Sequence, residues 1–295
     1  MLRGDDLKWT TERVVDFLLA KGLGPGPFEV KPLAGGYWND VLRIKGPDRT
    51  LVFKGYVEVM SGTLFPNLPN DEAAALERLA GLAVAPDPVG YWPDERVLVY
   101  RYVEGEPWDG DVVAVARLLR RKEAADPAGF RSVPMTPEEL IAEGDRLYVR
   151  CADDALVASY RARRPQPIAI NEPGRLSLIH ADIGATNMIG AGDDLRLIDW
   201  QCPAAGDLAE DVYTFLSPAF QILNLREPLT DNERRTFLAV LGMPEIAKRH
   251  RQLEPFFAYR MGAYCCLRYQ TAADAPVISR YTRAATAELA RIPAP

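Results

Sequence analysis

The chain has 295 residues, 48% of them hydrophobic and 26% charged, with a formal net charge of −6. That length exceeds what one core usually holds, so one large domain or two lobes are expected. The acidic balance argues against a general nucleic-acid binder, and the one dense basic run, RLLRRK at 117–122, reads as a solvated helix face.

Thr10 or Thr11 can cap a first helix carrying Val14, Val15, Phe17, Leu18 and Leu19, and GLGPGP ends it. FEVKPL, DVLRIK and TLVFKG follow as short strands. GG at 35–36 and GPD at 46–48 separate them, so hairpins are expected. NDEAAALERLAGL reads as a helix with Asn70 as its cap and Leu76, Leu79 and Leu82 on its apolar side. PVGYW and RVLVYRYV add two strands. Beyond Gly105 the period turns helical, in VVAVARLLRRKEAA and in PEELIAEGDRLYVRCADDALVASYRARR. RLSLIH and LRLIDW are short apolar strands expected to pair with each other. From Asp207 onward the chain reads as helices separated by REPLTDN, GMPE and TAADAP. The boundary falls near VEGEPWDG, which predicts a β-rich lobe over 1–103 and a mostly helical lobe over 104–295.

The chain has two histidines, and one of them opens the stretch LIHADIGATNMI. Asp182 follows His180 by two positions, Asn187 follows Asp182 by five, and Asp199 ends LRLIDW. If the two strands pair, Asp182, Asn187 and Asp199 lie near the same strand ends. Phosphoryl transfer needs such a set: one carboxylate to accept the proton of an attacking hydroxyl, and an amide oxygen with a second carboxylate to hold Mg²⁺. Spacing alone leaves a polar hairpin with loop-capping Asp and Asn as an equal reading. In the first lobe, Gly35 and Gly36 stand between two strands, where backbone amides can come close to a phosphate, although most such pairs are simple turns. Lys54 closes the apolar run LVFK, and Glu72 lies on the helix that follows. A buried carboxylate there needs a cation, so Glu72 can hold Lys54 by an ion pair.

Taken in order, these features resemble the aminoglycoside phosphotransferase and choline kinase family. That family reads HGDLxxxN and then IDWExAGxGDPAxDLA. Here His180-Ala181-Asp182-Ile183 with Asn187 matches the first part, with alanine in place of glycine at 181. Asp199-Trp200-Gln201 and Gly206-Asp207-Leu208-Ala209-Glu210-Asp211 match the second, with Gln201 for glutamate and Cys202-Pro203 replacing the usual pair; Trp38 is bulky for its loop. The resemblance implies an α+β, bilobal protein-kinase-like fold. It implies Asp182 as catalytic base and Asn187 and Asp199 as metal ligands. It further implies nucleotide contacts from Gly35, Gly36, Asn39, Lys54, Glu72, Tyr100, Arg101 and Val103, with Tyr100 at the gatekeeper position and the backbone of Arg101 and Val103 meeting adenine. Asp211 would brace the catalytic loop, and His180 would support it. The implied cofactors are ATP and Mg²⁺.

The leading expectation is therefore a kinase of a small hydroxylated molecule. The alternative is a pseudokinase that binds nucleotide or a partner, against which the retention of Lys54, Glu72, Asp182, Asn187 and Asp199 argues. A protein kinase fits less well, because only the eleven residues from Trp200 to Glu210 separate Asp199 from Asp211, which leaves no room for a long activation segment. A hydrolase lacks support, with no GxSxG and two histidines. The four cysteines form no CxxC pair and read as buried thiols, and a zinc site is not expected. MLRGDDLKWT lacks the apolar stretch of a signal peptide, and no run approaches the ~18 apolar residues of a membrane span, so a cytoplasmic protein without membrane or nucleic-acid partners is expected, as monomer or homodimer. For the acceptor, Glu138, Glu139, Glu143 and Asp145 with Phe256, Phe257, Tyr259, Tyr264 and Tyr269 could hold an amine. The weightier reading makes those acids a solvated helix face and the aromatics core.

Overall fold

A computed structural model describes residues 9–33, 39–57 and 63–294. Its chain divides into two compact units, residues 1–105 with 196–202, and residues 106–195 with 203–295. The segment 196–202 thus groups with the first unit, to which it is tied by backbone hydrogen bonds from Leu68 N to Gln201 O (3.0 Å) and from Leu197 N to Val84 O (2.8 Å).

The first unit is an antiparallel sheet of β1 (Glu29–Pro32), β2 (Asn39–Lys45), β3 (Thr50–Tyr56), β4 (Pro88–Trp92) and β5 (Val97–Arg101), in the order β1-β2-β3-β5-β4. Alternation along the strands sorts its two faces. Leu42, Ile44, Leu51, Phe53, Val97 and Val99 form a buried core with Trp9 and with Val14, Phe17 and Leu18 of helix α1 (Thr11–Ala20). Trp9, Phe17 and Phe53 meet edge to face, with centroids 4.9–5.7 Å apart. Thr10 caps α1 through Arg13 N. Helix α2 (Pro69–Leu79) begins one residue before the expected cap: Pro69 is pre-set for the first helical position, Leu68 is the N-cap, and Asn70 instead accepts from Tyr91 Oη at 2.6 Å.

The second unit is mostly helical: α3 (Val112–Lys122), α4 (Pro137–Tyr148), α5 (Ala155–Ala162), α6 (Leu208–Leu216), α7 (Pro218–Leu223), α8 (Asp231–Leu241), α9 (Pro244–Thr271) and α10 (Ala275–Leu289). The long helical run expected at 137–164 is broken in two, because Asp154 caps a new helix by accepting from Leu156 N and Val157 N. Of its strands, β6 (Leu176–Ile179) comes before the short β7 (Met188–Ile189); β8 (Arg196–Leu197) belongs to the first unit. The expected pairing of RLSLIH with LRLIDW does not form. Strand β6 pairs antiparallel with β9 (Ala204–Asp207), where Gly206 permits the approach: a Cβ there would meet Ile179 Cδ1 and Val133 Cγ2 at 2.6 Å. Among the described residues the four cysteines are free and buried, and no helix is long and apolar enough to cross a membrane.

Helix α9 carries a titratable group inside the second unit. His250 is buried, and neither ring nitrogen has a hydrogen-bond partner among the described residues. Burial lowers its pKa to about 4, with flanking arginines adding to the effect against Glu254. The imidazole is therefore neutral in the folded chain, while the unfolded chain takes up its proton near the ordinary value. Stability should fall as pH drops from about 6.5 towards 4, by up to about 3 kcal/mol from this group. Urea unfolding across that interval should show a shallower acid limb for His250→Leu than for wild type; equal slopes would assign the loss elsewhere.

Candidate active site

In the first unit the candidate residues Asn39, Lys54 and Tyr100 share the sheet face opposite the core. Lys54 sits on β3 between Val41 of β2 and Leu98 of β5, and is buried. A buried ammonium needs anions, and two are present: Glu72 of α2, with Oε2 at 2.7 Å and Oε1 at 2.9 Å, and Asp199, with Oδ1 at 2.6 Å. Burial alone would push the lysine pKa down; Asp199 and then Glu72 outweigh it and leave it raised, so the ammonium is retained. Burial pushes the Glu72 carboxyl up, opposed by Lys54, and Tyr56 Oη adds a hydrogen bond to Oε2 at 2.6 Å. The Tyr56 phenol, raised by burial and by Glu72, stays a donor. Asn39 is buried in a reciprocal pair of amide hydrogen bonds with Asn67, at 3.2 and 2.9 Å. Tyr100, opposite Val52, is buried on the same face as Lys54. Arg101 is exposed and its N–H donates to Asp87 O at 2.8 Å. Val103 is half-buried, and its backbone N–H and C=O bond to no other described residue, which leaves both for a ligand edge. Gly35, Gly36 and Trp38 lie outside the described residues.

In the second unit the stretch after β6 is organised around Asp211 of α6. Both of its carboxylate oxygens accept from His180 N at 3.1 Å, and Oδ1 also accepts from Ala181 N at 3.0 Å. Lys122 of α3, fully buried, completes the set at 3.0 Å from Oδ2 and donates to Leu178 O at 2.5 Å. The reading of RLLRRK as wholly solvated is therefore corrected at its last residue. Lys122 stands seven positions after Val115 and three and four after Leu119 and Leu118, on the buried stripe of α3, and that period was its signal. The chain then turns through Ala181 at φ +64°, a left-handed conformation that glycine adopts freely and alanine does not. The alanine-for-glycine departure thus falls where a side chain is strained. His180 Nδ1 accepts from Asp182 N at 3.3 Å, and half-buried Asp182 is met by Asn187, whose Nδ2 donates to Asp182 O (3.0 Å) and Oδ2 (3.3 Å). With its nitrogen so engaged, the Asn187 amide oxygen is left without a donor among the described residues. Asn187 Oδ1 and the Asp199 carboxylate are hard oxygen donors that suit Mg²⁺. Asp199, like Ala181, holds a left-handed φ, +62°.

Of the four acids considered for an amine acceptor, Glu138 is exposed and the other three are committed within the chain. Glu139 closes a capping box with Thr136, Glu143 binds Arg260 at 3.1 Å, and Asp145 binds Arg164 at 2.7 Å and Tyr259 Oη at 2.8 Å. Phe256, Phe257 and Tyr259 are buried. Arg260 is shared with Glu210 of α6 at 2.5 Å, and Asp207 caps α6 while pairing with Arg249. Sequence reasoning missed Lys122, Tyr56, Arg249 and Arg260.

Two substitutions test this geometry. Lys122→Met should lower stability by about 3–5 kcal/mol, because it strands a buried carboxylate, and Asp211→Asn in the same chain should restore part of the loss. A loss under about 1 kcal/mol in chemical unfolding would contradict the pair. Ala181→Gly should stabilise by about 1 kcal/mol, read as a melting temperature higher by a few degrees; a lower one would contradict strain at this position.

The model of the phosphotransferase enzyme family (APH) matches residues 29–254. A search of curated proteins found no match. In fold the chain is similar to choline kinase LicA of Streptococcus pneumoniae (19% identity, TM-score 0.64, covering 94% of this chain and 98% of that one). It is similar also to choline kinase of Cryptosporidium parvum Iowa II (14%, 0.67, 96% and 95%) and to spectinomycin phosphotransferase APH(9)-Ia, solved with ADP and spectinomycin (11%, 0.60, 97% and 99%). These structures share the protein-kinase-like fold expected from the sequence. With the family match spanning most of its length, the chain belongs to the phosphotransferase enzyme family.

Proposed function

We propose that this phosphotransferase is an ATP- and Mg²⁺-dependent kinase that moves the γ-phosphoryl group to a hydroxyl of a small molecule. The observation that carries the proposal is the loop at Asp182. A carboxylate is held half-exposed by its own backbone contact to His180 and by the Asn187 amide, and the loop's start is locked onto buried Asp211. A carboxylate so placed can accept the proton of an attacking alcohol as the oxygen commits to phosphorus. Lys54, kept charged by Glu72 and Asp199, supplies a cation for phosphate oxygens. The free backbone N–H and C=O of Val103 suit the polar edge of adenine. Asn187 and Asp199 would hold Mg²⁺, which when bound neutralises charge on the nucleotide phosphates. Gly35, Gly36, Asn39, Glu72, Tyr100 and Arg101 complete the proposed nucleotide site. That the spectinomycin phosphotransferase of similar fold was solved with ADP supports nucleotide use.

Asp182→Ala should lower acceptor-dependent ADP release by about 100-fold or more while nucleotide binding persists. Coupled ADP detection and calorimetry with ATP check the two halves separately. Turnover equal to wild type would overturn the role of Asp182.

A further inference from the structure

The corner that follows α7 grips the loop on both sides of Asn187. Asn224, the half-buried residue just past α7, uses both ends of its side-chain amide. Its Nδ2 donates to Phe220 O at 2.8 Å, anchoring it to the helix. Its Oδ1 accepts from Thr186 N at 3.0 Å and also from Thr186 Oγ1. Gly184 lies directly beneath that amide: a Cβ there would fall among its Nδ2, Oδ1 and Cγ atoms, so only glycine lets Asn224 reach Thr186. Two residues on, Arg226 closes the other side. Its Nη1 donates to Trp108 O at 3.3 Å and its guanidinium stacks 4.7 Å over the Trp108 ring, while Trp108 N donates to Met188 O at 3.0 Å. Thr186 and Met188 are the two chain neighbours of Asn187.

Between Asn224 and Arg226 sits Leu225, at φ +62° and 72% exposed. A leucine there is strained, and its side chain is not buried in exchange. The corner is nevertheless held closed by Leu225 N to Ile222 O (3.1 Å) and Arg226 N to Gln221 O (2.9 Å), the two hydrogen bonds of a Schellman cap. The left-handed residue is what points Asn224 at the loop before Asn187 and Arg226 at Trp108, which holds the loop after it.

We propose that the corner 224–226 is a clamp that positions Asn187, with Asn224 as its principal positioning residue. The clamp fixes the backbone before and after Asn187, so that the amide donates to Asp182 and presents its free oxygen to the metal. This rests on the magnesium reading of the preceding section. A partner outside the ligand sphere that orients a ligand is typically worth 10–100-fold in metal affinity.

The test is binding of Mn²⁺, as a Mg²⁺ surrogate, to the full chain in the presence of ADP, followed by the electron paramagnetic resonance of free Mn²⁺, so that it needs no acceptor and no turnover. Asn224→Ala should weaken Mn²⁺ binding by about 10-fold or more. Asn224→Asp, which keeps the acceptor oxygen for Thr186 but sets a carboxylate oxygen against Phe220 O in place of the donating Nδ2, should recover only part of that loss. Thr186→Ala, at an exposed position, removes only the hydroxyl arm and should weaken binding by a smaller factor; it also serves if Asn224→Ala fails to fold. ADP affinity without metal should be unchanged in all three. Wild-type Mn²⁺ affinity retained in folded Asn224→Ala, or in Thr186→Ala should Asn224→Ala not fold, would overturn the clamp alone. No Mn²⁺ binding by wild type would overturn the magnesium reading, and the clamp with it.

Discussion

A single buried carboxylate sets the position of the proposed catalytic loop. Asp211 is fully removed from water, and a carboxylate in that setting must find donors within the protein. It finds the backbone N–H groups of His180 and Ala181 and the ammonium of Lys122. Two of those donors are the first residues past β6, so the place where the strand ends is dictated by a side chain on α6 and a cation on α3. Ala181 is forced left-handed by that docking, and the turn delivers Asp182 to its contact with His180. The group proposed to take a proton is thus positioned by an ion pair that never meets substrate.

The first unit repeats the principle with opposite sign. There the buried charge is the ammonium of Lys54, and the donors and acceptors are arranged around it. The sheet makes this possible because period-two alternation separates an apolar face, sealed by α1, from a face that carries Lys54, Tyr56 and Asn39. Tyr56 occupies one lone pair of Glu72 and so holds the carboxylate that holds the lysine. Both units therefore use buried ionic groups as fixed points, a use of charge better suited to specifying geometry than to adding stability.

Much of this was legible in the sequence. The strand alternation, a threonine cap at 10 or 11 and the order Lys54, Glu72, Asp182, Asn187, Asp199 follow from local pattern and from the family motifs. The close contact of Lys54 with Glu72 followed from the cost of burying a carboxylate alone. Other features were not legible, for physical reasons. Lys122 looks like one more member of a basic run, and only its place on the stripe of Val115, Leu118 and Leu119 marks it as buried. The pairing of β6 with β9 depends on a close approach that Gly206 allows, which two apolar strands flanking a loop do not reveal. Glu143 and Asp145 of α4 look available for an amine until Arg260 and Arg164 arrive from 117 and 19 residues away. Asn224 carries no motif; its meaning comes from the residue it touches.

The most direct measurement is ADP release from ATP and Mg²⁺ across a broad panel of small alcohols, including amino alcohols, aminoglycosides and sugars. A phosphotransferase working through Asp182 should show release that depends on one acceptor class, transfers phosphate to its hydroxyl and stops when Mg²⁺ is chelated. Metal-dependent nucleotide binding with no acceptor-dependent release from any member of the panel would contradict it and favour a chain that binds nucleotide without transferring phosphate.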